Sequence, residues 1–314
     1  MERFESARKF YEKQVKPLIE EKFPQYAGRI AVGLAGEGSD CFGYDDLISR
    51  DHDFGTGVCL WVTDEDMKEF GYSLSIAYNE LAERQPGNNL SQRLKDRRGV
   101  MTIRSFYSNI LGIECDTKRC TLSSEDWQRL DHTCLATAVN GVVFRDDLGK
   151  FTAFRDLLLS YYPDNVWKVR IANELHRFSA AMQVNYARCM TRKDYVTART
   201  CREIGVSAAM ELFFLLSREY PPYYKWTYKR LTELDQGGRF AALINKLSET
   251  ETTQSAWEGK AYHPDRLNTD DPAVTAAELI GSYIAGMLRE KGLISGEDSY
   301  LERYVDEILG QIKM

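Results

Sequence analysis

The stretch "RIAVGLAGEGSD", residues 29–40, constrains the fold more than any other part of this chain. A short apolar run of this kind, bounded by turn residues, reads as a buried strand. It enters a glycine cluster with no intervening polar linker. Gly36 and Gly38 allow close backbone approach, and Ser39 adds a hydroxyl. A strand that ends in a glycine turn and opens a helix aims backbone N–H groups at an anion. "GEGSDC" lacks the third glycine of a dinucleotide fingerprint and the Lys-Ser/Thr of a P-loop, so alone it is a turn with the outline of a phosphate cradle.

The elements around this strand alternate. Residues 3–23 carry apolar side chains at three- and four-residue steps and read as a leading helix. Residues 52–63 read as a second strand or hairpin, 64–84 as a helix opened by acids, and "GVMTIRSFY" (99–107) as a further strand. Residues 123–141 read as one capped helix, with Ser123 and Asp126 spaced as a capping box. Beyond residue 150 the pattern becomes wholly helical: 164–191, 196–220 stopped by Pro221-Pro222, 272–290 and about 298–312. The fold class is therefore α+β: a mixed-sheet domain over 1–150, then an all-α domain over 151–314. The Ser/Thr/Asp/Glu-rich stretch 248–270 reads as a mobile connector.

With 314 residues and 43% hydrophobic content the chain has ample core material. A net charge of −6 argues against polymeric nucleic acid as a partner. The basic run "RLKDRR" (93–98) reads as a solvated helix face or loop. The charged N-terminus and the lack of a long apolar run point to no membrane partner and to the cytoplasm. Seven scattered cysteines fit reduced thiols rather than a zinc set.

Asp51 and Asp53 follow the glycine turn. On a strand, residues i and i+2 share a face, and two carboxylates there repel unless a cation lies between them. Magnesium takes hard oxygen ligands and completes its shell from phosphates. Gly38-Ser39, eleven residues, then Asp-x-Asp, with an apolar strand on either side, is a nucleotidyltransferase signature. The stretch resembles the DNA-polymerase-beta-like nucleotidyltransferase superfamily. It looks more closely like a bacterial nucleotidyltransferase-like family known only as a domain of unknown function. "LATAVNGVVFRDDLGKFTAFRDLLLSYYPDNVW" (135–167) and "SREYPPYYKW" (217–226) carry the likeness onward.

The resemblance implies that Gly38 and Ser39 bind the β- and γ-phosphates of a nucleoside triphosphate, ATP by default. It implies that Asp51 and Asp53 are the catalytic carboxylates and hold Mg²⁺, with Mn²⁺ as a substitute. Lys225 would meet the triphosphate, and Tyr224 would lie near the base or acceptor. The activity implied is transfer of a nucleoside monophosphate to a hydroxyl of a small-molecule or protein acceptor, by a monomer or homodimer. Active members usually add a third carboxylate from a following strand. "GVMTIRSFY" has none; Glu114 and Asp116 lie a little later and Asp146-Asp147 later still, and spacing does not choose among them. That gap leaves a second reading, a catalytically weak nucleotide-binding regulatory module; a third is a metal-dependent phosphohydrolase.

Overall fold

The computed structural model describes residues 4–44, 48, 57–85, 97–264 and 266–312. Over these residues the protein is α+β, with a small four-stranded mixed sheet and a majority of helix. The chain divides into two compact units, Met1–Tyr161 and Tyr162–Met314.

In the first unit, helix α1 (5–22) includes a π turn at Tyr11–Val15 and buries Phe10, Val15 and Ile19. Strands β1 (Ala31–Leu34), β2 (Cys59–Val62), β3 (Gly99–Thr102) and β4 (Val142–Arg145) form a sheet in the order β3-β2-β1-β4. β1 is antiparallel to β2 and to β4, while β2 and β3 are parallel. Helix α2 (64–83) opens on a capping box between Thr63 and Asp66.

The period-2 alternation of the strands separates two cores. Val32, Leu34, Leu60 and Val62 pack with α1 and with Phe70, Leu74 and Tyr78 of α2. On the other face Trp61 stacks on Phe151 at 3.7 Å and meets Phe106 edge-on at 5.3 Å. Gly33 lies between these layers beside a β-bulge. A Cβ there would approach the Val142 carbonyl oxygen to 2.4 Å and the Trp61 ring to 2.9 Å, so only glycine fits.

Two local expectations need correction. The strand expected over 99–107 stops at Thr102, whose hydroxyl accepts the Ser105 N–H at 2.9 Å and starts helix α3 (Ile103–Leu111). The single helix expected over 123–141 is two. α4 (Ser124–Arg129) carries the Ser123/Asp126 capping box. After Leu130, Asp131 accepts the N–H groups of Thr133 and Cys134 to begin α5 (His132–Val139). Helix α6 (Lys150–Leu159) supplies Phe151 and Phe154 to the aromatic core of the first unit.

The second unit is helical throughout its described residues. α7 (164–191, with a π turn at Ser179–Asn185) lies against α8 (Tyr195–Ser217), and the Trp167 indole donates to the Leu215 carbonyl at 2.8 Å. α9 (Tyr224–Leu234), α10 (Arg239–Glu249), α11 (Pro272–Glu290) and α12 (Val305–Leu309) follow. In the stretch read as a mobile connector, two described residues make defined contacts. Trp257 is buried and donates to Asp271 at 2.7 Å, and Asn268 donates to the Ala256 carbonyl at 2.9 Å. Among the described residues no helix is long and apolar enough to cross a membrane.

Candidate functional site

Strand direction gathers four segments at one end of the sheet. β1 finishes there, at Leu34, while β2, β3 and β4 all begin there, as the pairs Gly33–Cys59, Cys59–Gly99 and Leu34–Val142 require. The glycine turn after β1 is therefore flanked by Val58, by Arg97-Arg98 and by Asn140.

The turn is held from each side. Gly36 donates its N–H to the Asn140 side-chain oxygen and accepts from the Asn140 amide, both at 2.8 Å. Gly38 has φ +124°, a conformation L residues rarely adopt, and a Cβ there would meet the Asp40 carboxylate at 2.3 Å. The helix expected after the turn is one 3-10 turn, Asp40–Phe42, ended by Gly43 at φ +71°. The N–H groups of Cys41, Phe42, Gly43 and Tyr44 return to the carbonyls of Gly38, Ser39, Asp40 and Ser39. One 3-10 turn contributes no helix dipole of consequence, so anion affinity here would come from individual donors.

Sequence reasoning missed the centre of this construction. Arg98, expected in a solvated run, is buried, with its side chain 5% exposed. Its guanidinium donates to Asp40 at 2.9 Å, to the Arg97 carbonyl at 3.1 Å and to the Glu37 carbonyl at 3.4 Å, and lies 3.0 Å from the Cys41 sulfur. Burial opposes its charge. The hydrogen-bonded Asp40 carboxylate favours it, and the pKa lies well above the ordinary value, so it stays protonated. Burial pushes the Cys41 thiol well above its ordinary range, which keeps it neutral beside the guanidinium. Arg97 pairs with Glu37 at 2.6 Å. Both acids of the turn are thus taken by consecutive arginines from the start of β3.

Gly38 and Ser39 are half-buried at the open side of the turn. Asp51 and Asp53, and His52 between them, lie outside the described residues. Glu114 and Asp116 are placed at the opposite end of the sheet. Glu114 pairs with Arg104, just beyond the end of β3, at 3.2 Å. Asp116 accepts the N–H groups of Lys118 and Arg119, and Lys118 reaches Glu65 beyond the end of β2. Asp146 and Asp147 follow β4 at that same end. Strands of four residues separate them from the turn by about 13 Å. Tyr224 and Lys225 belong to the second unit, at the start of α9. Tyr224 is 92% exposed, and the Lys225 ammonium lies 5.1 Å from the centre of the Trp226 ring.

A family model described as Domain of unknown function (DUF4037) matches residues 127–227. The match covers about a third of the chain. It takes in the 135–167 and 217–226 stretches and leaves out the glycine turn and the Asp-x-Asp segment. Nothing matches among curated proteins or among solved structures.

Proposed function

We propose that the protein is a magnesium-dependent nucleotidyltransferase whose glycine turn receives the triphosphate of its donor. The observation that carries this reading is the turn itself. Gly36 is fastened by Asn140, and Glu37 and Asp40, on either side of Gly38, are held by the buried Arg98. A main chain free of side chains and held in place suits close approach by a phosphate. Gly38 lets the phosphates approach the main chain, and the Ser39 hydroxyl offers them a donor.

The turn's own carboxylates are unsuited to magnesium, since Glu37 and Asp40 are paired with Arg97 and Arg98. Asp51 and Asp53 have the right chemistry, two hard carboxylate donors in sequence proximity. Gly57 leads into β2 at the turn's end of the sheet, and the four residues from it to Asp53 span at most about 14 Å. Bound magnesium would neutralise charge developing on the departing pyrophosphate. The protein's contribution is positioning: the turn fixes the donor so that an acceptor hydroxyl meets the α-phosphorus in line. Tyr224 and Lys225 enter this reading through the family resemblance alone.

A second reading is a regulatory module that binds nucleotide without turnover. It is favoured by one observation: among the described residues, every acid at the turn's end of the sheet is paired with arginine, and Glu114, Asp116, Asp146 and Asp147 lie at the other end.

The first test is binding, because the acceptor is unknown. Thermal shift and calorimetry with ATP, GTP, CTP and UTP, with and without Mg²⁺, are expected to show magnesium-dependent stabilisation by at least one nucleotide. A ligand at 100 times its Kd contributes about 2.7 kcal/mol. The Asp51→Asn/Asp53→Asn variant is expected to lose the effect. Absence of stabilisation by all four nucleotides would end both nucleotide readings.

A further inference from the structure

The helical unit contains a cavity of ≈ 950 Å³, which falls within the range of small-molecule sites. α7 contributes Gln183 and Arg188, and α11 contributes Glu278. The 257–270 segment adds Trp257 and Tyr262, and the segment before α12 adds Ser299 and Tyr300.

Most of the charge around this cavity is matched internally. Lys260 pairs with Asp270 at 2.5 Å and Arg303 with Asp298 at 2.6 Å. Two groups on facing helices are left without an ionic partner among the described residues. Glu278 is half-buried and takes only neutral donors, the Gln183 amide at 3.1 Å and the Ser299 hydroxyl at 2.5 Å. Arg188 reaches only the Asn185 side-chain oxygen at 3.5 Å, and its guanidinium lies 5.1 Å from the centre of the Tyr262 ring. Arg266 is a further cation at the exposed rim.

The support beneath Glu278 is rigid. Gln183 also donates to the Ser299 carbonyl at 2.8 Å and accepts from the Leu301 N–H at 3.1 Å and the Ser179 hydroxyl at 2.7 Å. Gly281 permits this packing, since a Cβ there would lie 2.2 Å from the Ser299 carbonyl oxygen. A neutral acceptor would serve the same fastening role. A carboxylate, with about four acceptor sites of which two are used, still has capacity to bind a cation. Partial burial without a counter-charge is costly, and a bound ammonium would offset it.

We propose that this cavity binds an amino-acid-like zwitterion, its ammonium on Glu278, its carboxylate on Arg188 and its side chain against Trp257, Tyr262 and Tyr300. Gln183, which holds Glu278, and Arg188 are five residues apart on α7, about 7 Å along the axis. That offset, together with the length of the arginine side chain, leaves room for a ligand carrying opposite charges at its two poles. A ligand with only one charge would engage only one of these two groups. The site lies wholly within the second unit and does not rest on the nucleotide reading.

The test uses the full chain and the twenty proteinogenic amino acids, each at 10 mM, by thermal shift, with calorimetry on the best binder. At least one is expected to stabilise the protein. Its decarboxylated amine and its deaminated acid are each expected to bind at least fivefold more weakly. Glu278→Gln and Arg188→Gln are each expected to weaken binding at least fivefold, while Asp51→Asn/Asp53→Asn leaves it unchanged. Arg188 is exposed and makes no ion pair among the described residues, so its variant reports on binding even if Glu278→Gln perturbs the fold. No stabilisation by any of the twenty, an equally tight single-charge analogue, or a less than fivefold loss in Arg188→Gln would each overturn the proposal.

Discussion

Replacing Arg98 with methionine tests whether the glycine turn is held from below. Methionine keeps the side-chain volume roughly constant and removes the charge and every donor. The guanidinium donates to the Asp40 carboxylate and to two main-chain carbonyls. Removing one partner of a buried ion pair costs about 3–5 kcal/mol, because the other charge is left uncompensated. Asp40 retains 32% of its side-chain exposure and can recruit water, so the lower end applies, about 3 kcal/mol. At 1.4 kcal/mol per factor of ten, that predicts amide exchange at Cys41–Tyr44 faster by about 100-fold. Hydrogen exchange resolved by mass spectrometry reads this directly and separates a local opening of the turn from global unfolding. Adding Asp40→Asn removes the stranded charge, so the double variant is expected to recover at least 1 kcal/mol relative to simple additivity. The reasoning fails if exchange in Arg98→Met stays within threefold of wild type, or if the two substitutions are additive.

Two further outcomes follow from local geometry. Gly33→Ala sets a methyl carbon against the Val142 carbonyl at 2.4 Å and the Trp61 ring at 2.9 Å, and is expected to destabilise the first unit by about 3 kcal/mol, measured by urea unfolding. Asp131→Ala removes the cap of α5 and is expected to cost about 1 kcal/mol at neutral pH. The cap also sets a pH dependence. Burial works against ionisation of Asp131, but the Thr133 hydroxyl, His132 and the N–H groups of Thr133 and Cys134 hold its carboxyl below the usual range. A carboxyl with a depressed folded pKa contributes in full above its unfolded value, about 3.9, and loses that contribution as pH falls through the folded value. The difference between wild type and Asp131→Ala is therefore expected to be present at pH 5 and to shrink below pH 4. A difference that persists unchanged at pH 2.5 would contradict this account.

What could be read from the chain followed from local rules. β1 and its turn were legible because an apolar run entering glycines is a short-range signal. α2, α7, α8 and α11 were legible because their apolar stripes repeat over several turns. The errors arose where a single side chain overrode the pattern. Thr102 ends a run of β-formers by capping a helix, and Asp131 does the same inside a helical stretch. β4 is too short and too close to Gly141 to announce itself. Helices α9 and α10 went unread beside the polar stretch that follows them.

Arg98 illustrates a different limit. Charge-pattern reading assigns "RLKDRR" to solvent, since arginine is rarely buried unless paired. Its partner Asp40 lies 58 residues earlier, so the pairing depends on β3 lying parallel to β2 and starting beside the turn. No local feature carries that information. The same topology bears on function. It brings Arg97 and Arg98 to the two acids of the turn and sends Glu114 and Asp116 to the far end of the sheet. Under the nucleotide reading, the turn's carboxylates are thereby neutralised and would not repel a triphosphate, and the task of holding a metal falls to Asp51 and Asp53. If Glu37→Gln leaves nucleotide binding intact while Asp51→Asn/Asp53→Asn removes it, this division between structural and functional acids holds. If Glu37→Gln also removes magnesium-dependent binding, the acids of the turn take part in holding the metal and the arginine pair has a different purpose.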